Sequence, residues 1–233
     1  MWGRLVPLID RPPRERLGRV AKLFLEGRSI EAFRKNVRVL TNQSESLAIT
    51  DPHIALMVLR HYGVPTRILD WSQSAYVAAF FASETDQAAD AEIWAFDEPL
   101  YEIEGRRQWD VGPPVTRDGQ FHPQYTMFMP NLGPIDWFIC AFYFPNTFPR
   151  QHAQHGAFSL TAHFEVDHAH YLARLLKSPD RCRRLVVPAT LKRDLLTHLR
   201  LSHGINRAIL FPDEGQQTQT RAVSAANDVF KKP

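Results

Sequence analysis

An α+β fold is predicted for these 233 residues, organised as a single domain in which N-terminal helices lead into a mixed sheet with flanking helices. Three observations predict it. Apolar residues recur at helical spacing through the first sixty positions, short β-branched and aromatic runs bounded by Pro and Gly concentrate after residue 66, and no internal repeat or linker-like composition divides the chain. A hydrophobic content of 44% with 23% charged residues provides a sizeable core without disulfide or metal staples.

In chain order, Leu5 to Ile9 reads as extended, and Pro12-Pro13 ends it before Leu17, Val20, Ala21, Phe24 and Leu25, whose spacing predicts an amphipathic helix closing near Gly27. Ser29 caps a second helix with Ile30, Phe33, Val37 and Leu40 buried, and Asn42 to Ser46 is a polar loop. Asp51-Pro52 opens a third helix, carried by Ile54, Leu56, Met57 and Leu59 to about His61. After Gly63-Val64-Pro65, Thr66 to Asp70 is a short strand. Ser72 then caps a helix that is apolar almost all round from Ala75 to Ala82 and is therefore expected to be buried. Glu92 to Phe96 is a strand, residues 98 to 134 are a Pro- and Gly-rich excursion, Ile135 to Phe144 is a central strand, and Ala157 to Thr161 is another. Arg184 to Val187 is a strand, Thr190 caps a helix that Gly204 ends, Ile205 to Phe211 is a strand, and a last helix runs from about Gln217 to Phe230.

The longest apolar run, Trp137 to Phe144, falls far short of the roughly 20 residues that span a bilayer, so no membrane segment is expected. No basic segment leads into an apolar run after Met1, which predicts a cytoplasmic protein, and Cys140 and Cys182 are too few for a disulfide framework. The formal charge of +3 is unevenly placed: residues 1–38 hold ten Lys and Arg against four Asp and Glu. That arm could meet nucleic-acid phosphates, or its arginines could line the wet faces of two helices.

The densest polar cluster is His61-Tyr62-Gly63-Val64-Pro65-Thr66-Arg67-Ile68-Leu69-Asp70-Trp71-Ser72, set between two helices. A buried Arg or Asp needs a partner. Spaced i and i+3 on a strand, Arg67 and Asp70 point to opposite faces, so a ligand or a distant partner is expected for each. From spacing alone the cluster reads first as a structural polar knot at a sheet edge. The histidine run His152, His155, His163, His168 and His170 matches no metal-ligand spacing, and no Gly-x-Ser-x-Gly elbow supports a hydrolase.

That string, followed by Val77-Ala78-Ala79-Phe80-Phe81-Ala82, resembles the signature of the FRG domain, a bacterial and phage domain named for a Phe-Arg-Gly motif. Two further stretches agree with it: Arg150-Gln151-His152-Ala153-Gln154-His155-Gly156-Ala157-Phe158, and Leu199 through Gly204-Ile205 to Leu210-Phe211-Pro212-Asp213. The naming motif itself, expected shortly before Leu5 to Ile9, is absent, and Gly3-Arg4 does not supply it.

The motif order is similar to that of ADP-ribosyltransferases, which place an Arg on a first strand, a Ser or Thr before an Ala- and Phe-bearing helix, and a Glu or Gln near a later strand. The resemblance implies an ADP-ribosyltransferase-like fold, NAD as substrate, and transferase or NAD-cleaving chemistry in a bacterial or phage defence or toxin setting. Ser72 takes the second place and Gln154 the third, as catalytic residues; the first is missing. His61, Thr66, Arg67, Asp70 and Arg150 are the expected ligand-binding residues, with no metal. Gln154 is neutral and can orient a ribose but not supply negative charge. The alternative is a non-catalytic module in which the same cluster recognises a protein partner or a nucleic acid, assisted by the basic arm.

Overall fold

Helices lead and strands follow, as the periodicity predicts, in an α+β arrangement seen in a computed structural model that describes residues 5–36, 52–100, 103–104, 139–142, 149–161, 167–176, 178, 180–212 and 221–231. The helices are α1 (Arg19–Asn36), α2 (Pro52–His61), α3 (Ala75–Glu84), α4 (Pro149–Ala153), α5 (His168–Leu176), α6 (Lys192–His203), α7 (Arg207–Leu210) and α8 (Arg221–Asp228). The strands are β1 (Ile68–Ser72), β2 (Ala91–Phe96), β3 (Ile139–Phe142), β4 (Gly156–Thr161) and β5 (Cys182–Val187). Among the described residues they form two antiparallel sheets, β1-β4-β3 and β2-β5, rather than one mixed sheet. The central strand is β4, with β3, cut from the run read as central, at its side. None of the described helices is long and apolar enough to cross a membrane.

The first helix departs most from its predicted form. A single helix runs from Arg19 through Gly27 to Asn36, and its buried face is Lys22, Glu26, Ser29, Ile30 and Phe33. The apolar stripe read from the sequence faces outward instead, with Val20 80% and Phe24 62% exposed. The reason is electrostatic pairing. Lys22 Nζ meets Asp10 Oδ1 at 2.9 Å, and Arg67 Nε meets Glu26 Oε2 at 2.7 Å, every side chain of the two pairs being 4% exposed or less. Satisfied charges occupy the inner face of the first turns, so the apolar residues of those turns are displaced outward. Farther along, Ile30 and Phe33 join Leu56, Val58 and Leu59 of α2 and Val223 and Ala226 of α8 in the main core.

Other elements shift in smaller ways. The stretch read as extended from Leu5 turns into a 3-10 segment at Leu8–Asp10, which delivers Asp10 to Lys22 and lets Ile9 N–H reach the Thr66 carbonyl at 3.3 Å. The first strand begins two residues later than predicted, at Ile68, because Val64 to Arg67 run buried as irregular chain. Helices α4 and α5 fall where no helix was read; the second hides its apolar face, Leu172 and Leu176, against Trp71 and Phe96. Thr190 does not cap α6, which begins after a 3-10 turn at Ala189–Leu191 with Leu191 at its N-cap. Gly204 ends that helix at φ +67°, as a left-handed terminator does. The strand read over Ile205 to Phe211 is the short helix α7, because Asn206 caps it by accepting from Ile209 N–H at 3.2 Å. Val37, Leu40, the loop from Asn42 to Ser46, most of residues 98–134 and residues 217–220 lie outside the described residues.

The all-round apolar helix α3 is only half buried. Val77 and Phe80 pack on Leu199 of α6 and Leu210 of α7, whereas Ala78, Phe81 and Ala82 on another face line a cavity. Its apolar surface serves two neighbours, one protein and one open space.

Candidate functional site

The site grows from the pairing of β1 with β4. In that register Asp70 stands opposite Phe158, Trp71 opposite Ala157 and Ser72 opposite Gly156. Just past the ladder, Gln73 N–H donates to the His155 carbonyl at 2.9 Å and Ser72 Oγ–H donates to the Gln154 carbonyl at 2.8 Å. Ser72 Oγ in turn accepts from Ser74 N–H at 3.1 Å, and Ser74, rather than Ser72, is the N-cap of α3, accepting from Val77 N–H. These bonds pin the start of α3 to the turn between α4 and β4. Above them opens a cavity of about 820 Å³, walled by the end of α2, β1, one face of α3, β2 and the α4–β4 turn, with Phe211 at one side.

Five of the expected site residues line this cavity: His61, Asp70, Ser72, Arg150 and Gln154. Thr66 and Arg67 do not. Thr66 is fully buried, and its hydroxyl has no hydrogen-bond partner among the described residues. Arg67 is turned away from the cavity into the ion pair with Glu26, to which it gives both its backbone N–H at 3.0 Å and its Nε–H at 2.7 Å. Ser72 and Gln154 are brought together, but through the Gln154 backbone. The Gln154 side chain is engaged elsewhere, its Nε2 donating to the Leu210 carbonyl at 2.9 Å.

Side chains that the sequence reading passed over complete the wall. Arg11 and Arg60 both line the cavity, and Arg60 donates from Nε to Asp70 Oδ2 at 2.7 Å and from Nη2 to the same oxygen. Burial lowers the Arg11 pKa, the Arg60 charge lowers it further, and Asp70 pulls it back. Glu92, the other carboxylate of the wall, is held by Arg184 at 3.0 Å, a residue outside the wall. Among the described residues the wall carries three arginines, Arg11, Arg60 and Arg150, and two carboxylates, Asp70 and Glu92. The Arg150 guanidinium lies 5.1 Å from the Phe211 ring centroid and that of Arg207 4.7 Å, so two cations stack on one aromatic. Arg60 and Arg11 carried a legible signal, since one closes the helix before the polar cluster and the other precedes Pro12-Pro13, but each reads as an ordinary surface charge until the chain is folded.

Trp71 is fixed from behind. Its indole N–H donates to Ser159 Oγ at 2.7 Å, and Ser159 Oγ lies 3.0 Å from His168 Nδ1. Ser159 Oγ accepts the indole proton and so bridges Trp71 to His168 Nδ1. His168 is fully buried, and burial pushes its pKa down to about 3. Among the described residues no group of three or more His, Cys, Asp or Glu is placed to hold a metal ion.

Gly156 is fitted against Gln151. A Cβ at this position would lie 2.9 Å from Gln151 Cγ and 3.4 Å from the Gln151 carbonyl oxygen, and Gln151 is a buried wall residue. Gly156→Ala should therefore destabilise by about 1–3 kcal/mol through overpacking, more than the roughly 0.4–1 kcal/mol gained by restricting the unfolded chain. Gly27 sits inside α1 with nothing within 4 Å of an added Cβ. Gly27→Ala should stabilise by about 1 kcal/mol. Urea melts of the two variants should move in opposite directions; a stabilised Gly156→Ala would show that the Gln151 contact yields freely.

The model of the FRG domain matches residues 2–91. No curated protein and no solved structure matches the chain.

Proposed function

We take as premise that this chain contains an FRG domain, residues 2–91, and propose that its cavity binds a nucleotide, with NAD the first candidate. One observation carries the reading: a cavity of about 820 Å³ joins the guanidinium groups of Arg11, Arg60 and Arg150 to aromatic walls from Trp71, Trp94, Phe81, Phe158 and Phe211. Apolar and aromatic surface for a base or nicotinamide ring, with a few converging cations for phosphates, is the composition such a ligand needs, and the volume lies in the usual range of roughly 300–1,000 Å³. His61 and Asp70 stand on the same wall. Under the transferase-like or NAD-cleaving reading, Ser72 and Gln154 mark the reacting end, as the similarity in motif order implies.

A specific observation favours the second reading, ligand recognition without turnover. Asp70 and Glu92 are ion-paired to arginines, and the Gln154 amide donates to a backbone carbonyl, so among the described residues the wall presents no uncommitted carboxylate to steady a developing oxocarbenium. In that form the domain is a binding module for a nucleotide, a protein partner or, through residues 1–38, a nucleic acid.

Thermal unfolding with NAD tests the first reading. At 100 times the dissociation constant NAD should stabilise by about 2.7 kcal/mol, a rise in Tm on the order of 5–10 °C for a chain of this length. Nicotinamide release that is lost in Gln154→Ala while the NAD-induced shift persists supports catalysis. No shift at millimolar NAD overturns NAD as the ligand.

A further inference from the structure

Resting on the nucleotide reading above, we propose that Arg60 and Arg11 form the phosphate-binding end of the cavity, and that Asp70 is a resident counterion which a ligand phosphate displaces. Arg60 lies on the last turn of α2 and lines the cavity together with Arg11 and Asp70. Both of its donating nitrogens converge on one oxygen, Asp70 Oδ2. The two partners are unequally anchored: the Arg60 side chain is 18% exposed and the Asp70 side chain 49%. The guanidinium is thus part of the wall, while the carboxylate stands at the rim.

Charge points the same way. Arg60 is paired with Asp70, Arg11 gives its Nε–H to the Val6 carbonyl at 3.0 Å, and burial together with the Arg60 charge disfavours the protonated Arg11. A diphosphate, with at least two negative charges spread over four or more non-bridging oxygens, relieves that repulsion better than a single carboxylate does, because it can accept from both guanidinium groups at once. An ion pair with a half-exposed partner is weak, so the incoming phosphate has little to overcome in replacing it. Arg67, the arginine that the polar cluster first suggests for this task, is committed to Glu26 behind the wall.

Calorimetric titration of the full chain with inorganic pyrophosphate, ADP, NAD and adenosine, repeated on Arg60→Ala, Arg11→Ala and Asp70→Asn, tests this. Circular dichroism and melting of each variant establish that it folds, and Arg60→Lys, which keeps the charge but loses the fork, serves as a milder second variant. Loss of charge-assisted bonds should weaken ADP, NAD and pyrophosphate roughly ten- to hundredfold in Arg60→Ala and Arg11→Ala, with adenosine unchanged. Asp70→Asn should tighten pyrophosphate several-fold. If Asp70→Asn weakens pyrophosphate as much as Arg60→Ala does, Asp70 is a ligand contact and the counterion role is overturned. NAD binding that is equal in wild type and Arg60→Ala overturns the phosphate end while the nucleotide reading survives. Pyrophosphate binding that depends on Arg60, without any binding of ADP or NAD, supports the anion site and overturns the nucleotide reading instead. Absence of binding by every probe overturns both.

Discussion

Glu26→Ala should lower the unfolding free energy by about 3–5 kcal/mol, because it takes the carboxylate away from an Arg67 guanidinium held in a site that water does not reach. The Arg67 and Glu26 side chains are 2% and 3% exposed, and the carboxylate uses both oxygens on Arg67, one for the backbone N–H and one for Nε–H. For a chain of this length that loss is a fall in Tm of roughly 6–20 °C. Glu26→Gln, which keeps an acceptor but loses the charge, should fall between. Replacing both partners by apolar residues of similar volume should recover much of the loss, since the pair must offset its own desolvation. A Glu26→Ala variant melting within about 2 °C of the parent would show that Arg67 finds another partner or a route to water. The pairing also decides how binding should be tested. Arg67→Ala leaves the buried Glu26 carboxylate without its cationic partner, so it reports on stability; Arg60 on the cavity wall is the residue whose removal reports on the ligand.

Acidification should unfold the protein through His168. Burial holds this imidazole near a pKa of about 3, well below the 6.5 of an exposed histidine. Between those two values the unfolded chain binds a proton that the native chain does not, so stability is full above pH 6.5 and falls as the pH drops below it. The single group accounts for about 2 kcal/mol lost at pH 5 and about 3 kcal/mol at pH 4. His168→Gln, which can still hydrogen-bond to Ser159, should show a flatter decline over the same window, and the difference between the two curves isolates this histidine from the carboxylates. Superimposable curves from pH 7.5 to 4 would mean that the imidazole is reached by solvent when protonated.

What could be read beforehand follows from how local each cause is. The α2 start at Pro52, the end of α6 at Gly204 and the strands near Ile93 and Val186 are set by neighbours in sequence, and they fall where expected. Arg67 and Asp70 do face apart, Arg67 buried and Asp70 exposed, but Arg67 lies in the irregular chain before β1, so strand parity is not what turns it inward. The inner face of α1 was illegible because Lys22 and Glu26 are buried only by virtue of Asp10 and Arg67, and no periodicity of apolar residues announces a charge pair. Helix α7 was misread because Ile205, Ile209 and Phe211 are good strand formers, while the Asn206 cap that decides the matter is a single residue. At the site, the residue types of the polar cluster drew attention to the right stretch, but only the fold separates His61, Asp70 and Ser72 on the wall from Thr66 and Arg67 behind it. The convergence of Arg11, Arg60 and Phe211 depends on contacts between distant segments, and nothing near them in sequence encodes it.

The ladder between β1 and β4 has a consequence for modularity. The FRG match closes at residue 91, yet β1 takes its hydrogen-bonding neighbour from residues 156–161, and Arg150, Gln154, Phe158 and Phe211 of the cavity wall also come from beyond that limit. The matched segment and the unit that must fold are therefore different lengths of chain. Transplanted alone, residues 2–91 would carry a strand with an open edge and an incomplete cavity wall, a fragment prone to self-association. In this protein the recognisable motif is a component, and the chain after it completes the working part.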